Sequence, residues 1–296
     1  CVASSTYEAE EGLSSDTIVP ASKFIVSAIW AVFAALAFAV MMTSIRSMEG
    51  KFDAFEIVFF RALIGVFMVI PLITRSGFQA VRTERMPMHL VRTLFALFAM
   101  ATLYYALVEI PVAEAISLTF LIPLFTTISA ATVLRERVGA ERWIATLVGF
   151  VGAIVIIRPG LGEISISVLL VVLSSALYAG AWSSVKILTR TDSAAVTVFW
   201  MNVLMVPLTA IPSYFLWVTP GWDDLFPILT MAVSGWAAHF CQARAFGEAD
   251  ASVVAPFDFL RLPFGAVFAW VWLGEPSDPW TWLGAAVIFT ATYYIT

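Results

Sequence analysis

The chain has 296 residues, 61% of them hydrophobic and 12% charged, with a net charge of −5. Soluble domains run near ~45–50% apolar and ~25% charged, so this composition and a mean hydropathy of +0.92 exclude a soluble globule and a disordered chain. The acidic balance leaves no basic patch for nucleic acid, and two cysteines, Cys1 and Cys241, make neither a disulfide framework nor a cysteine zinc site. A polytopic membrane protein remains.

A membrane helix needs about 20 mostly apolar residues. Runs of that kind, punctuated by Gly, Pro and charge, predict ten spans: 23–45, 54–74, 87–108, 111–134, 140–157, 163–188, 192–217, 223–245, 250–273 and 279–296. The breaks between them are short, and nothing is left over for a soluble catalytic domain. Residues 1–22 carry Glu8, Glu10, Glu11 and Asp16 without a basic n-region, so they read as a cytoplasmic tail and not as a signal peptide. Cys1 is expected to be a trimmed or tagged end rather than a lipidated start.

Lys and Arg in the short connections set the orientation. Ten of the sixteen lie on the side shared with the N-terminus, three lie on the other side, and Arg61, Arg92 and Arg261 fall within spans. Both termini are therefore expected in the cytoplasm.

The two halves repeat at a shift near 140 residues. Ala54 aligns with Ala195, Leu63 with Leu204, Pro71 with Pro212, Phe38 with Tyr178, Ser44 with Ser184 and Arg46 with Lys186. Leu134-Arg135-Glu136 matches Leu273-Gly274-Glu275, and a tryptophan follows each Glu seven residues later, Trp143 and Trp282. A gap of about two residues is needed near the fourth and ninth spans. The nearly constant offset marks an internal repeat, with a first half over 23–157 and a second over 158–296. Five helices per half means that the second half inserts upside down, and inverted repeats are a signature of secondary transporters. The expected fold is thus all-α and integral to the membrane, ten helices in two inverted five-helix repeats.

The Ala-rich fourth span with Pro123, the L-x-E turn and the following helix with Trp143 and Gly149 resemble the drug/metabolite transporter superfamily, EamA-like branch. The second copy matches through Ala243, Asp250-Ala251-Ser252, Pro256, Leu273-Gly274-Glu275 and Trp282-Leu283-Gly284. The resemblance covers residues 23–296. It implies a carrier of small metabolites in a bacterial inner membrane. Length and aromatic content are similar to those of bacterial exporters of aromatic or hydrophobic amino acids. Carriers of a vitamin, a nucleoside or a phosphorylated sugar are the alternatives.

Ionisable groups at membrane depth cost roughly 2.5–3.5 kcal/mol or more, so each is a candidate site. Asp258 and Arg261 share one helical face at i, i+3. They either neutralise each other or offer one charge each to a zwitterion. Arg61 either pairs with Glu56, snorkels to the surface, or contacts substrate. Arg92 reads as snorkelling. Glu114 suits the helix N-terminal dipole and is the candidate for proton coupling. His239 is a bundle histidine or a relay. Tyr104, Tyr105, Tyr178, Trp182, Asn202, Trp236 and Gln242 mix ring faces with polar tips and could line a pocket for an apolar or aromatic group. Pro123, Pro256 and Pro263 are expected hinges. Helices five and ten, with Gly149 and Gly152, read as outer braces or an oligomer contact, so the protein is expected to be a monomer or a weak homo-oligomer.

No lysine lies deep in a span, there is no GxxxxGK[ST] loop for ATP, and no metal-ligand spacing occurs. No cofactor is expected, and the expected partners are the substrate and the lipid bilayer. A membrane-embedded enzyme, with only Asp258, Arg261 and His239 to draw on, is the rival from another class.

Overall fold

The computed structural model describes residues 21–48, 50–76, 81–132, 139–157, 165–188, 191–192, 194–248 and 257–295. The expected N-terminal tail, Pro256 and the Asp250-Ala251-Ser252 stretch lie outside them, apart from residues 21–22 of the tail. The protein is all-α, as expected, because in lipid a helix satisfies every backbone group within its own segment. Its helices are α1 Ala21–Arg46, α2 Ala54–Ser76, α3 Met86–Leu107, α4 Val112–Thr119, α5 Ile122–Thr132, α6 Ala140–Ile157, α7 Ile166–Leu188, α8 Ala194–Phe215, α9 Trp222–Glu248, α10 Arg261–Leu273 and α11 Pro279–Ile295. With α4 and α5 as two pieces of one span, these make the ten transmembrane helices. Five described segments are by themselves long and apolar enough to cross a bilayer: Phe24–Arg46, Met86–Leu107, Val112–Ser129, Ile166–Val185 and Val196–Phe215.

Small and polar residues gather on the buried face of these helices, which also takes in larger ones such as Met41, Ile45, Leu103 and Tyr104. On α1, Ala31, Ala34, Ala35 and Ala39 are buried while Phe24, Ile25, Ile29 and Phe33 are exposed. On α3, Ala96, Ala99 and Ala106 are buried while Leu90, Val91, Phe95 and Phe98 are exposed. Lipid tails are as apolar as leucine, so burial of small residues, which lets backbones approach, is what brings membrane helices together. Such close approach lets Ser174 of α7 donate to the Ala99 carbonyl of α3 at 2.7 Å.

Helix neighbours obey a two-fold exchange of the halves. The α1–α9 contact has its counterpart in α7–α3, α2–α9 in α8–α3, and α1–α10 in α7–α5, while α2–α8 and α6–α11 map onto themselves. The fifth and tenth spans, α6 and α11, therefore pack on each other within one molecule. At that contact a Cβ on Gly152 would lie 2.8 Å from the Gly284 carbonyl oxygen, and one on Gly284 would lie 2.6 Å from that of Gly152.

The fourth span is broken rather than continuous. Pro123 has no N–H to give the Thr119 carbonyl, and Phe120 and Leu121 bond three residues back, to Ser117 and Leu118. The ninth span breaks at the matching Phe259-Leu260, where Leu260 and Leu262 also bond three residues back, ahead of Pro263. The Phe120 and Phe259 rings meet at 4.2 Å. Equivalent residues of the two halves touch only near their symmetry axis, so that axis passes between the two breaks.

Candidate functional site

Side chains from both halves converge beside this axis. Arg61 of α2, Asn202 of α8 and Trp236 and His239 of α9 line one small cavity together with Gly65, Val198, Met201 and Ala232. Two glycines inside helices make room for it. A Cβ on Gly65 would stand 2.9 Å from Asn202 Oδ1, and one on Gly235 would stand 2.9 Å from Met41 Sδ and 3.5 Å from Arg61 Cδ. Neither glycine was expected in the site; the available signal was a glycine interrupting an apolar helical run.

Arg61 is 4% exposed and Arg261 8%. Arg61 donates through Nη2 to Met100 Sδ at 3.3 Å. Arg261 pairs with Asp258, and its guanidinium lies 4.2 Å from the Phe38 ring centroid, a cation–π distance. The i, i+3 spacing thus gives mutual neutralisation. Phe38 also meets the His239 ring edge-on at 5.2 Å. Tyr104 is fully buried with its hydroxyl toward Met41 Sδ. Tyr178 lies within electrostatic reach of Arg61, Arg261 and Tyr104. Asn202 donates back to the Val198 carbonyl at 3.1 Å, which turns its oxygen toward Gly65. Trp236 stacks flat on Phe240 at 5.1 Å.

Other expected residues lie elsewhere. Tyr105 is 49% exposed and Trp182 42%, so both face outward instead of toward the cluster: Tyr105 is turned about 100° from Tyr104 by the helical period, and Trp182 sits a turn beyond Tyr178. Gln242 is half-buried, and its Oε1 has no partner among the described residues. Glu114 sits half-buried in the first turn of α4, near the end of that helix and away from the centre. Arg92 donates to the Thr197 carbonyl at 2.6 Å and does not snorkel.

Side chains link the two halves at both faces of the protein. On the face opposite the N-terminus, Arg46 pairs with Glu275 at 2.7 Å and also donates to the Val108 carbonyl. Glu275 follows Gly274, whose φ of +68 ends α10, and it accepts from the Val112 N–H at the start of α4. Lys51 meets Asp224 at 2.5 Å, and Glu56 accepts from the Val218 N–H. Asp224 also accepts from the Gly221 N–H at 2.7 Å.

On the N-terminal face, Asp192 accepts from Thr83 at 2.5 Å and lies 2.6 Å from His89 Nε2. Burial pushes the Asp192 carboxyl up, but hydrogen bonds from Thr83, His89 and Thr191 outweigh it and hold it low. Lys51 and Asp192 are 141 residues apart, as are Thr83 and Asp224, so the two ties are symmetry mates. Asp192 was expected at the start of the seventh span, with no role. Between these closures the central cavity is about 10 Å³, the room of about one water.

Among the described residues no group of His, Cys, Asp and Glu is arranged to hold a metal ion.

The two halves exchange about one axis, and the comparisons find the same repeat. A family model described as the EamA-like transporter family matches residues 25–158 and again 165–296. The chain is 31% identical to a riboflavin transporter of Vibrio cholerae over 91% of this chain and 92% of the relative. It is 30% identical to an S-adenosylmethionine uptake transporter of Rickettsia prowazekii over 83% of each. Against a pseudopaline exporter of Pseudomonas aeruginosa it is 29% identical over 88% of this chain and 92% of the relative. A crystal structure aligns at a TM-score of 0.62 and 16% identity, covering 93% of this chain and 96% of that one, which shows the fold alone. With both halves matched in turn, this chain belongs to the EamA-like transporter family.

Proposed function

We propose that the protein carries a planar heteroaromatic metabolite of the flavin kind across a bacterial inner membrane by alternating access, with both termini in the cytoplasm. The observation that carries the reading is the central cavity, where a buried guanidinium, an amide, an indole and an imidazole from both repeats surround one space. Aromatic faces and a few hydrogen-bonding tips suit a flat ring system with polar edges. The names of the riboflavin relatives support that class. Export of aromatic amino acids has less support: the relatives reported above are named for other cargo, and Asp258 is spent on Arg261 rather than held for an ammonium group.

Ties on both faces and a cavity too small for any metabolite support an occluded carrier, in which one face must open before cargo enters. Rocking about the symmetry axis, with bending at the breaks before Pro123 and Pro263, supplies that opening.

The test is purified protein in liposomes loaded separately with riboflavin, S-adenosylmethionine, phenylalanine and tryptophan. Saturable riboflavin flux above protein-free vesicles is expected. Flux of the amino acids without riboflavin would replace this reading with the amino-acid one.

A further inference from the structure

The two guanidinium groups buried at the centre are not equivalent. Arg261 has Asp258 as counter-ion and Phe38 beneath it. Arg61 has neither. Its contact is the Met100 sulfur, a weak acceptor; the Nε is buried without a hydrogen-bond partner in both arginines, so the missing counter-ion is what sets Arg61 apart. Among the described residues no carboxylate stands within ion-pair distance of it. Glu56, on the same helix, turns its Oε1 to the Val218 N–H in the connection after α8. His239 lines the same cavity and brings no negative charge to it.

A buried, uncompensated charge is costly to fold around. A guanidinium that is buried and lines a cavity recovers that cost when a ligand supplies acceptors. Its planar fork matches two adjacent acceptors or a carboxylate, as it matches O6 and N7 of guanine.

Resting on the proposal that this cavity takes the cargo, we propose that Arg61 is the specificity-determining residue of the site, forking onto a cargo edge that presents two adjacent acceptors. In a flavin ring that edge is O4 with N5 or O2 with N1. Asn202, Trp236 and His239 surround the bound ring. Cationic cargo is disfavoured, because Arg61 has no anion to share.

Binding is read by quenching of flavin fluorescence in detergent, with riboflavin, 5-deazariboflavin and 1-deazariboflavin. Each deaza analogue replaces one ring nitrogen by C–H without changing the shape. The wild-type protein should bind one analogue about tenfold or more weakly than riboflavin, as loss of one arm of a bidentate contact requires. Arg61→Met should bind all three alike, and Arg61→Lys, which keeps charge but loses the fork, should also lose the discrimination. Wild-type protein that binds the three equally, or an Arg61→Met protein that still discriminates, overturns the proposal. The wild-type comparison stands even if the variants do not fold.

If no flavin binds, the flavin reading fails while Arg61 stays testable. Indole-3-acetate should then displace a bound aromatic dye at least tenfold better than indole-3-acetamide. Equal displacement would overturn the role of Arg61 as well.

Discussion

Neutralising Asp192 should loosen the N-terminal face alone. Its carboxylate joins the α7–α8 connection to Thr83 and His89 of the other half, with His89 fully buried and Asp192 5% exposed. Hydrogen bonds to a charged group contribute about 1.5–3 kcal/mol, against about 0.5–1.5 for neutral ones. Asp192→Asn keeps the shape and loses the charge, so the closed face weakens by about 1–2 kcal/mol, a factor of roughly 5–30 in the open population. The reporter is Val198→Cys, which lines the central cavity, in a protein with Cys1 and Cys241 replaced by serine. A membrane-impermeant maleimide is applied from one side of oriented vesicles. Labelling from the N-terminal face should rise about 5–30-fold, and labelling from the other face should not change.

The pH dependence has a definite sign. The folded carboxyl is held below its ordinary value, so the tie is complete above that ordinary value and is lost as pH falls through the lowered one. In the parent protein, labelling from the N-terminal face therefore rises only at pH below about 4, the ordinary Asp value. A parent rate in Asp192→Asn, or an equal rise from both faces, would refute the reasoning.

Gly152→Leu drives a side chain into the Gly284 carbonyl, 2.8 Å from its Cβ, and should lower Tm in detergent through a loss of about 1–3 kcal/mol; an unchanged Tm means that α6 and α11 do not pack as described. Gly65→Ala pushes on Asn202 Oδ1, the movable end of a side chain, so KM for the cargo should rise several-fold while Tm stays within about 2 °C, roughly 0.5 kcal/mol; an unchanged KM removes Asn202 from the site. Glu275→Gln releases Arg46 and weakens the acceptor for the Val112 N–H, and Val198→Cys labelling from the face opposite the N-terminus should rise several-fold. Salt should act on the same face: Lys51 is 48% exposed, so 0.5 M sodium chloride screens its tie to Asp224 and leaves the buried Asp192 tie intact. Equal salt effects on both faces would remove that distinction.

Polarity was legible in the sequence and facing was not, for one physical reason. Ten spans, their inverted pairing and the Asp258–Arg261 pair all follow from where charge and Pro interrupt apolar runs, and bilayer thickness makes those interruptions decisive. Within a span, lipid and protein interior are equally apolar, so no hydrophobic period marks the inner face. Tyr104 and Tyr105 are therefore indistinguishable by composition, although one is buried and the other half exposed. Small residues carry part of the missing signal: alanines of α1 and α3 lie on the packed face, Gly65 leaves room for the Asn202 amide, and Gly235 leaves room for Met41 and the Arg61 side chain. The ties at the two faces needed both halves at once. Lys51 and Asp192, or Thr83 and Asp224, look unrelated as residue types, and the shared 141-residue offset becomes a pattern only when each is seen bonded to the other's mate. Symmetry conserves the place of the interaction and leaves its chemistry free, an exposed lysine–carboxylate pair on one face and a buried carboxylate with Thr83 and His89 on the other. Two inverted halves can therefore differ in how firmly each face is held, and the paired labelling of the two faces measures that inequality.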